Sequence, residues 1–137
     1  ERRIQTRATP WNAMSPIRSK FLKDSTVTLL AVGECTWARK FVDWELYTSL
    51  RSDPTPNGLL AVQLPSVSGS RPKLPERLSL NLGKGDEKGY ANYYVAPGSQ
   101  NTLRSWIQEA FEGRTSRPGL LNLGGALRER NSTCEPG

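Results

Sequence analysis

The sequence predicts an α/β fold with a mainly parallel sheet, because uncharged strand-like runs alternate with segments of helical period. Residues 26–32, 58–64 and 90–95 are rich in aliphatic, β-branched and aromatic residues, as is typical of buried strands. Residues 37–50 and 103–111 instead repeat their apolar residues every three to four positions, as amphipathic helices do. Strands that alternate with helices usually pair in parallel, so we expect a mainly parallel sheet.

The first part of the chain carries weaker signals. Residues 1–14 have no clear period, and we expect an irregular N-terminal arm there. Ser15 followed by Pro16 is a favourable helix start, with serine as the N-cap and proline at the first helical position. We therefore expect a short helix that ends near Asp24.

The segment from Ser25 to Leu50 predicts a buried strand, a turn and an amphipathic helix, around which the rest is organised. Thr36 is the predicted N-cap, and the helix should end before Asp53, because a residue that precedes proline disfavours the α region. Glu45 follows Phe41 by four residues, so both side chains lie on one face of the helix. This face lies near the carboxyl end of the strand, where open α/β sheets bind ligands.

The second half of the chain predicts one edge strand, one helix and a tail. Leucines alternate with polar residues at 78–82, which predicts a short half-buried edge strand. The last helix has Asn101 as its predicted N-cap and Gly113 as its end. Beyond it, residues 114–137 form a basic tail that we expect to be extended and able to lie against the domain. The apolar face of the last helix consists of Leu103, Trp106, Ile107, Ala110 and Phe111.

The motif Arg39-Lys40-Phe41-Val42-Asp43-Trp44-Glu45-Leu46, after a strand and a glycine, resembles the third strand and following helix of TIR domains. The resemblance is strongest to the TIR-like proteins of bacterial Thoeris anti-phage systems, and it extends over about residues 15–130. It implies a flavodoxin-like, TIR-type parallel sheet with flanking helices. Two front strands of the complete family fold have no counterpart in the sequence, so we expect an N-terminally incomplete, three-stranded TIR-like α/β domain at residues 15–113.

The resemblance implies an NAD-consuming enzyme, with NAD as substrate and with no cofactor or metal ion. Glu45 falls on the family's catalytic glutamate, while Phe41 stands where tryptophan is common. Nicotinamide in NAD is cationic and leaves as a neutral base, so one carboxylate beside the ribose suffices to stabilise the developing charge. Trp37 and Phe41 are candidates for stacking on the bases of NAD, and Arg39 for contact with its pyrophosphate. The implied reaction is hydrolysis or cyclisation to a cyclic ADP-ribose signal.

Each candidate site residue also has an ordinary structural interpretation. Glu45 can be a solvated carboxylate on a helix face, Trp37 and Phe41 can pack between helix and sheet, and Arg39 can be a surface charge. For the whole chain, the alternative is a non-catalytic TIR-like module for protein interaction and assembly. The expected partners are NAD, further copies of the chain that self-associate through TIR-like surfaces, and a downstream effector protein that senses the signal.

The composition excludes several classes of function. The chain has 19 Lys and Arg against 13 Asp and Glu, and its net charge of +6 favours anionic partners. No nucleic-acid-binding motif accompanies this charge, and we do not expect nucleic acid as a partner. The absence of histidine excludes Ser-His-Asp and Cys-His catalysis and His-ligated metals. Two cysteines are too few for a disulfide scaffold, so we expect Cys35 to be a packing residue in a cytoplasmic protein. No apolar run approaches the roughly 18 residues of a membrane span.

Overall fold

In the computed structural model, which describes residues 3–6, 25–51, 55–65, 67 and 72–134, four parallel strands form one sheet with helices on both faces. The strands lie in chain order across the sheet, with β2 and β3 at its centre. The predicted parallel sheet with flanking helices is therefore confirmed. The strands are β1 (Arg3–Thr6), β2 (Ser25–Val32), β3 (Gly58–Gln63) and β4 (Asn92–Val95). The helices are α1 (Lys40–Leu50), α2 (Glu76–Leu80) and α3 (Gln100–Ser116), and single 3-10 turns occupy Thr36–Ala38 and Pro118–Leu120.

The two central strands are covered on both faces, which explains why they read as continuous apolar runs. Along β2, Leu30 and Val32 face α1 and α2, whereas Val27 faces α3. Along β3, Leu59 faces α1 and α2 whereas Leu60 faces α3, because successive side chains of a strand point to opposite faces. The first face packs on Leu46, Leu50 and Leu78, and the second on Ala110 together with Leu103, Trp106, Ile107 and Phe111.

Strand β3 and helix α3 approach each other closely at Gly58. A Cβ atom on Gly58 would lie 2.2 Å from the carbonyl oxygen of Ala110, so only glycine fits at the start of β3. This contact sets the distance of α3 from the sheet, and with it the packing of the second apolar face.

Strand β1 corrects the prediction of an irregular arm at residues 1–14. Residues Arg3–Thr6 pair in parallel with β2, so the sheet has four strands rather than the expected three. A four-residue edge strand is specified by backbone pairing with its neighbour, and the sequence RIQT holds one strongly apolar residue, which is too short a pattern to indicate a strand. The helix predicted to begin at Ser15 lies outside the described residues.

Helix α2 corrects the edge strand predicted at residues 78–82. The buried residues there are Arg77, Leu78 and Asn81, which follow helical rather than alternating spacing, while Leu80 is 38% exposed. Pro75 stands directly before the helix, where a proline is tolerated. Three alternating leucines cannot distinguish a strand from one turn of helix, and only the isolated bridge between Leu82 and Ala91 remains of the predicted pairing.

The predicted start of α1 is also wrong. The helix begins at Lys40 after a 3-10 turn, and Arg39 occupies the N-cap position without a side-chain cap. The hydroxyl oxygen of Thr36 instead accepts a hydrogen bond of 2.8 Å from the Gly33 amide, which holds the turn between β2 and the helix.

Helix α3 is longer than predicted at both ends. Ser99, rather than Asn101, is the N-cap, and its hydroxyl oxygen accepts a 3.2 Å hydrogen bond from the Thr102 amide. The helix continues past Gly113 to Ser116, and the missing side chain of Gly113 leaves room for the Arg117 guanidinium group. Helix α3 is therefore the longest helix that the described residues form, and none of their helices is both long enough and apolar enough to cross a membrane.

Candidate functional site

Glu45 lies in the second turn of α1, on the helix that follows the central strand β2. Its side chain is only 4% exposed, and both carboxylate oxygens are buried. The interpretation of Glu45 as a solvated surface carboxylate is therefore wrong. Charged groups are costly to bury, so a carboxylate kept below the surface is a candidate for a role other than solubility.

One face of α1 carries Phe41, Glu45 and Ser49 at successive four-residue intervals. Phe41 is half-buried, and its ring meets the Trp44 ring edge-on at 5.5 Å between centroids. Ser49 is fully buried. The structure therefore keeps Phe41 and Glu45 on one face, as the spacing predicts.

The opposite face of α1 carries a buried ion pair that the sequence did not indicate. Asp43 precedes Glu45 by two residues, which turns its side chain about 200° around the helix axis. Its carboxylate accepts a 2.7 Å hydrogen bond from the Nε of Arg77, whose residue is 2% exposed. Asp43 is 6% exposed, so both charges are withdrawn from water.

The ion pair anchors a C-terminal strap, which we define as residues 122–134. Arg77 donates hydrogen bonds to the carbonyl oxygens of Gly124, Gly125 and Ala126 at 3.3 to 3.5 Å. The second carboxylate oxygen of Asp43 accepts a 2.8 Å bond from the Arg128 amide. The strap is therefore extended and lies against the α/β layers.

The outer end of the strap contacts the turn that precedes α1. The side-chain oxygen of Asn131 accepts a 2.9 Å hydrogen bond from the Lys40 amide, and the Ser132 amide donates to the Ala38 carbonyl oxygen at 2.9 Å. Cys134 forms a disulfide with Cys35, across a sequence separation of 99 residues. The prediction of Cys35 as an unpaired packing residue is therefore wrong, because a partner so distant in sequence leaves no local signal.

A small cleft lies between the strap, α2 and the start of α1. Trp37 and Arg39, two of the predicted NAD contacts, line it, whereas Phe41 and Glu45 are not among its lining residues. The Lys73 ammonium lies 4.0 Å from the centre of the Trp37 ring, a cation–π contact on the indole face. The predicted site residues therefore fall into two pairs. Trp37 and Arg39 line the cleft, whereas Phe41 and Glu45 lie on another face of α1. The remaining lining residues are Asp43, Pro75, Glu76, Arg77, Leu80, Gly124, Gly125, Ala126 and Arg128.

Asn57 forms a buried polar centre beneath the end of α1, which sequence reasoning missed. Its amide donates to the Ser49 carbonyl oxygen at 3.1 Å, and its side chain donates to the Thr28 hydroxyl at 3.2 Å. The Tyr90 hydroxyl donates a 2.6 Å bond to the Asn57 carbonyl oxygen. Burial raises the pKa of Tyr90 to about 12, against a smaller opposing effect of nearby arginines. Asn57 therefore ties α1 to β2 and to the segment just before β4.

The described part of the chain holds no group of three or more His, Cys, Asp or Glu residues arranged to bind a metal ion.

Comparison with known proteins shows which family part of the chain resembles. A family model described as Thoeris protein ThsB, TIR-like domain, matches residues 4–68, a segment that runs from β1 through β3 and includes Glu45. Neither a curated protein nor a solved structure matches the chain significantly. The resemblance drawn from the motif around Glu45 is confirmed, because residues 4–68 of the chain are similar to the TIR-like domain of the Thoeris protein ThsB.

Proposed function

We propose that the protein consumes NAD, with the Glu45 carboxylate beside the ribose whose bond to nicotinamide is broken. The observation that carries the proposal is that Glu45 lies within the segment matched to the ThsB family and is buried on the helix that follows a central strand. A buried carboxylate acts on a nearby charge more strongly than an exposed one, because less water screens it.

The proposed reaction needs one carboxylate and no general acid. The bond between the ribose carbon and the pyridinium nitrogen breaks, and its electron pair leaves with neutral nicotinamide. Positive charge develops on the ribose, and a carboxylate about 4 Å away lowers its energy by about 4 kcal/mol at an effective dielectric constant of 20. Attack by water then gives linear ADP-ribose, whereas attack by a nitrogen of the adenine gives a cyclic product, which would serve as the anti-phage signal.

The binding roles of the other predicted residues follow their positions. Phe41 shares the face of Glu45, and we propose that its ring stacks on a base of the dinucleotide. Trp37 and Arg39 lie at the cleft on the other side of α1, and their contact with NAD stays a prediction.

We also propose a cytoplasmic location, where NAD is abundant, and a downstream effector protein that senses the product.

The test is nicotinamide release from NAD by the purified protein, measured by liquid chromatography. The Glu45→Gln variant keeps the side-chain shape but removes the charge, so we expect its rate to fall about 10²-fold or more, the usual effect of removing one group that stabilises transition-state charge. Glu87→Gln is the matched control, because Glu87 is exposed in the loop before β4 and its loss should not change the rate. Circular dichroism checks that both variants keep the fold.

Two results would reject the proposal. If Glu45→Gln releases nicotinamide as fast as the parent, Glu45 is not the catalytic group. If the parent releases none and instead self-associates as its concentration rises, the non-catalytic assembly module is the better description.

A further inference from the structure

We propose that the outer end of the C-terminal strap is a redox-controlled latch over the start of α1. Reduction of the Cys35–Cys134 disulfide would release residues 131–134, while residues 122–128 stay docked. The inference rests on the contrast between the contacts that hold these two parts of the strap, and it is independent of the proposed NAD chemistry.

The inner part of the strap is held by buried charges. Arg77 is 2% exposed and contacts three strap carbonyl groups, and the Asp43 carboxylate accepts from the Arg128 amide. Asn81 is 1% exposed, and its side-chain oxygen accepts a 2.7 Å hydrogen bond from the Asn122 amide. Its side-chain nitrogen donates a 2.9 Å hydrogen bond to the Asn122 carbonyl oxygen. Opening these contacts would break several buried hydrogen bonds to a charged group, which is costly whatever the state of the cysteines.

The outer part of the strap has no such anchor. Asn131 and Ser132 are exposed, and the two hydrogen bonds they make to the backbone at the start of α1 can be replaced by water at little cost. A third contact, from the Arg128 guanidinium to the Ser132 hydroxyl, is also exposed. Among the described residues, the disulfide is therefore the main constraint on this end.

The disulfide can be reached by a reductant, because Cys35 and Cys134 are both partly exposed. A dithiol, such as a protein with two neighbouring cysteines, attacks one sulfur as a thiolate and forms a mixed disulfide, which its second thiol resolves. The bond between the two sulfurs breaks, each sulfur gains one electron and one proton, and the dithiol is oxidised to a disulfide. Reducing compartments supply this chemistry, and oxidising ones preserve the bond.

Release of the outer strap would change the start of α1. Arg39, at the N-cap position, offers no side-chain cap, so the Asn131 oxygen is the acceptor that satisfies the Lys40 amide. Without it the first turn of α1 loses its cap, and the Ala38 carbonyl oxygen loses the Ser132 amide. The redox state of one disulfide would thus set the order of the first turn of the helix that carries Glu45.

The test is amide hydrogen exchange of the whole protein, resolved by NMR, before and after reduction with dithiothreitol. On reduction we expect exchange to rise about tenfold or more at Lys40 and Ser132, and to stay unchanged at Asn122 and Arg128. The double variant Cys35→Ser, Cys134→Ser should match the reduced parent and ignore the reductant.

Two outcomes would overturn the inference. Unchanged exchange at Lys40 and Ser132 after complete reduction, verified by thiol titration, would show that the disulfide is not what holds the outer end. An equal rise at Arg128 would show that the strap opens as one piece. The reduced parent provides both readouts even if the double variant does not fold.

Discussion

Replacing Asp43 with asparagine should strongly destabilise the protein, because it leaves the Arg77 charge buried without a counter-ion. Arg77 is 2% exposed, and its Nε lies 2.7 Å from the Asp43 carboxylate. Asparagine keeps the size and an acceptor oxygen but removes the charge, while the contacts of Arg77 with the carbonyl groups of the strap remain. Breaking one partner of a buried pair costs about 3–5 kcal/mol, a large share of the 5–15 kcal/mol typical of a domain.

The assay is urea unfolding of the oxidised protein, followed by tryptophan fluorescence. Asp86→Asn is the matched control, because Asp86 is exposed in the loop before β4, and the free energy of unfolding should change by less than about 0.5 kcal/mol. The double variant Asp43→Asn, Arg77→Met removes both charges, and we expect it to be more stable than Asp43→Asn alone.

The double variant makes the reasoning refutable. If Asp43→Asn costs less than about 1 kcal/mol, Arg77 does not depend on Asp43 for its burial. Arg77→Met alone completes the cycle. If the two single substitutions simply add in the double variant, the charges do not interact, and the strap is held by its hydrogen bonds rather than by the pair.

Two further substitutions test the close approach of α3 to the sheet and the effect of the buried Tyr90 hydroxyl on stability at high pH. Gly58→Ala places a Cβ 2.2 Å from the Ala110 carbonyl oxygen, so α3 must shift. We expect the free energy of unfolding, measured in urea, to fall by about 1–3 kcal/mol. An unchanged free energy of unfolding would show that α3 is free to move away. The Tyr90 pKa of about 12 exceeds the ordinary value of 10.0, so the fold favours neutral tyrosine, and this stabilisation is complete below about pH 10 and lost between pH 10 and 12. As the pH rises from about 9 to 11.5, the free energy of unfolding of Tyr90→Phe should therefore fall less than that of the parent. Some fall should remain in the variant, because the pKa of Tyr94 is also about 12. An equal fall in both proteins would contradict this cause.

The elements that the sequence predicted well are those with long or repeated patterns. Strands β2 and β3 are buried on both faces, and this burial dictates continuous apolar runs that can be read directly. Helix α3 carries five apolar positions over two turns, enough to fix its period. The motif around Glu45 indicated the family because it joins a strand, a turn and a helix in one short segment.

The parts that could not be predicted depend on contacts between residues distant in the chain. Asp43 is one acidic residue within an amphipathic helix, and nothing near it in sequence reveals that its partner is Arg77. Cys35 and Cys134 are similarly far apart, so their number alone suggested unpaired thiols. Helix α2 is five residues long, too short for its apolar residues to show a helical period, and its buried Arg77 contacts residues far along the chain.

The contacts of Arg77 with the strap also affect the order in which the protein can be made. During translation α1, α2 and the sheet leave the ribosome before residues 122–128, so the guanidinium group of Arg77 emerges before the carbonyl groups that will cover it. A nascent chain that ends before the strap leaves this surface open to water and to chaperones. The α1–α2 layer can therefore reach its final packing only after the strap has emerged from the exit tunnel.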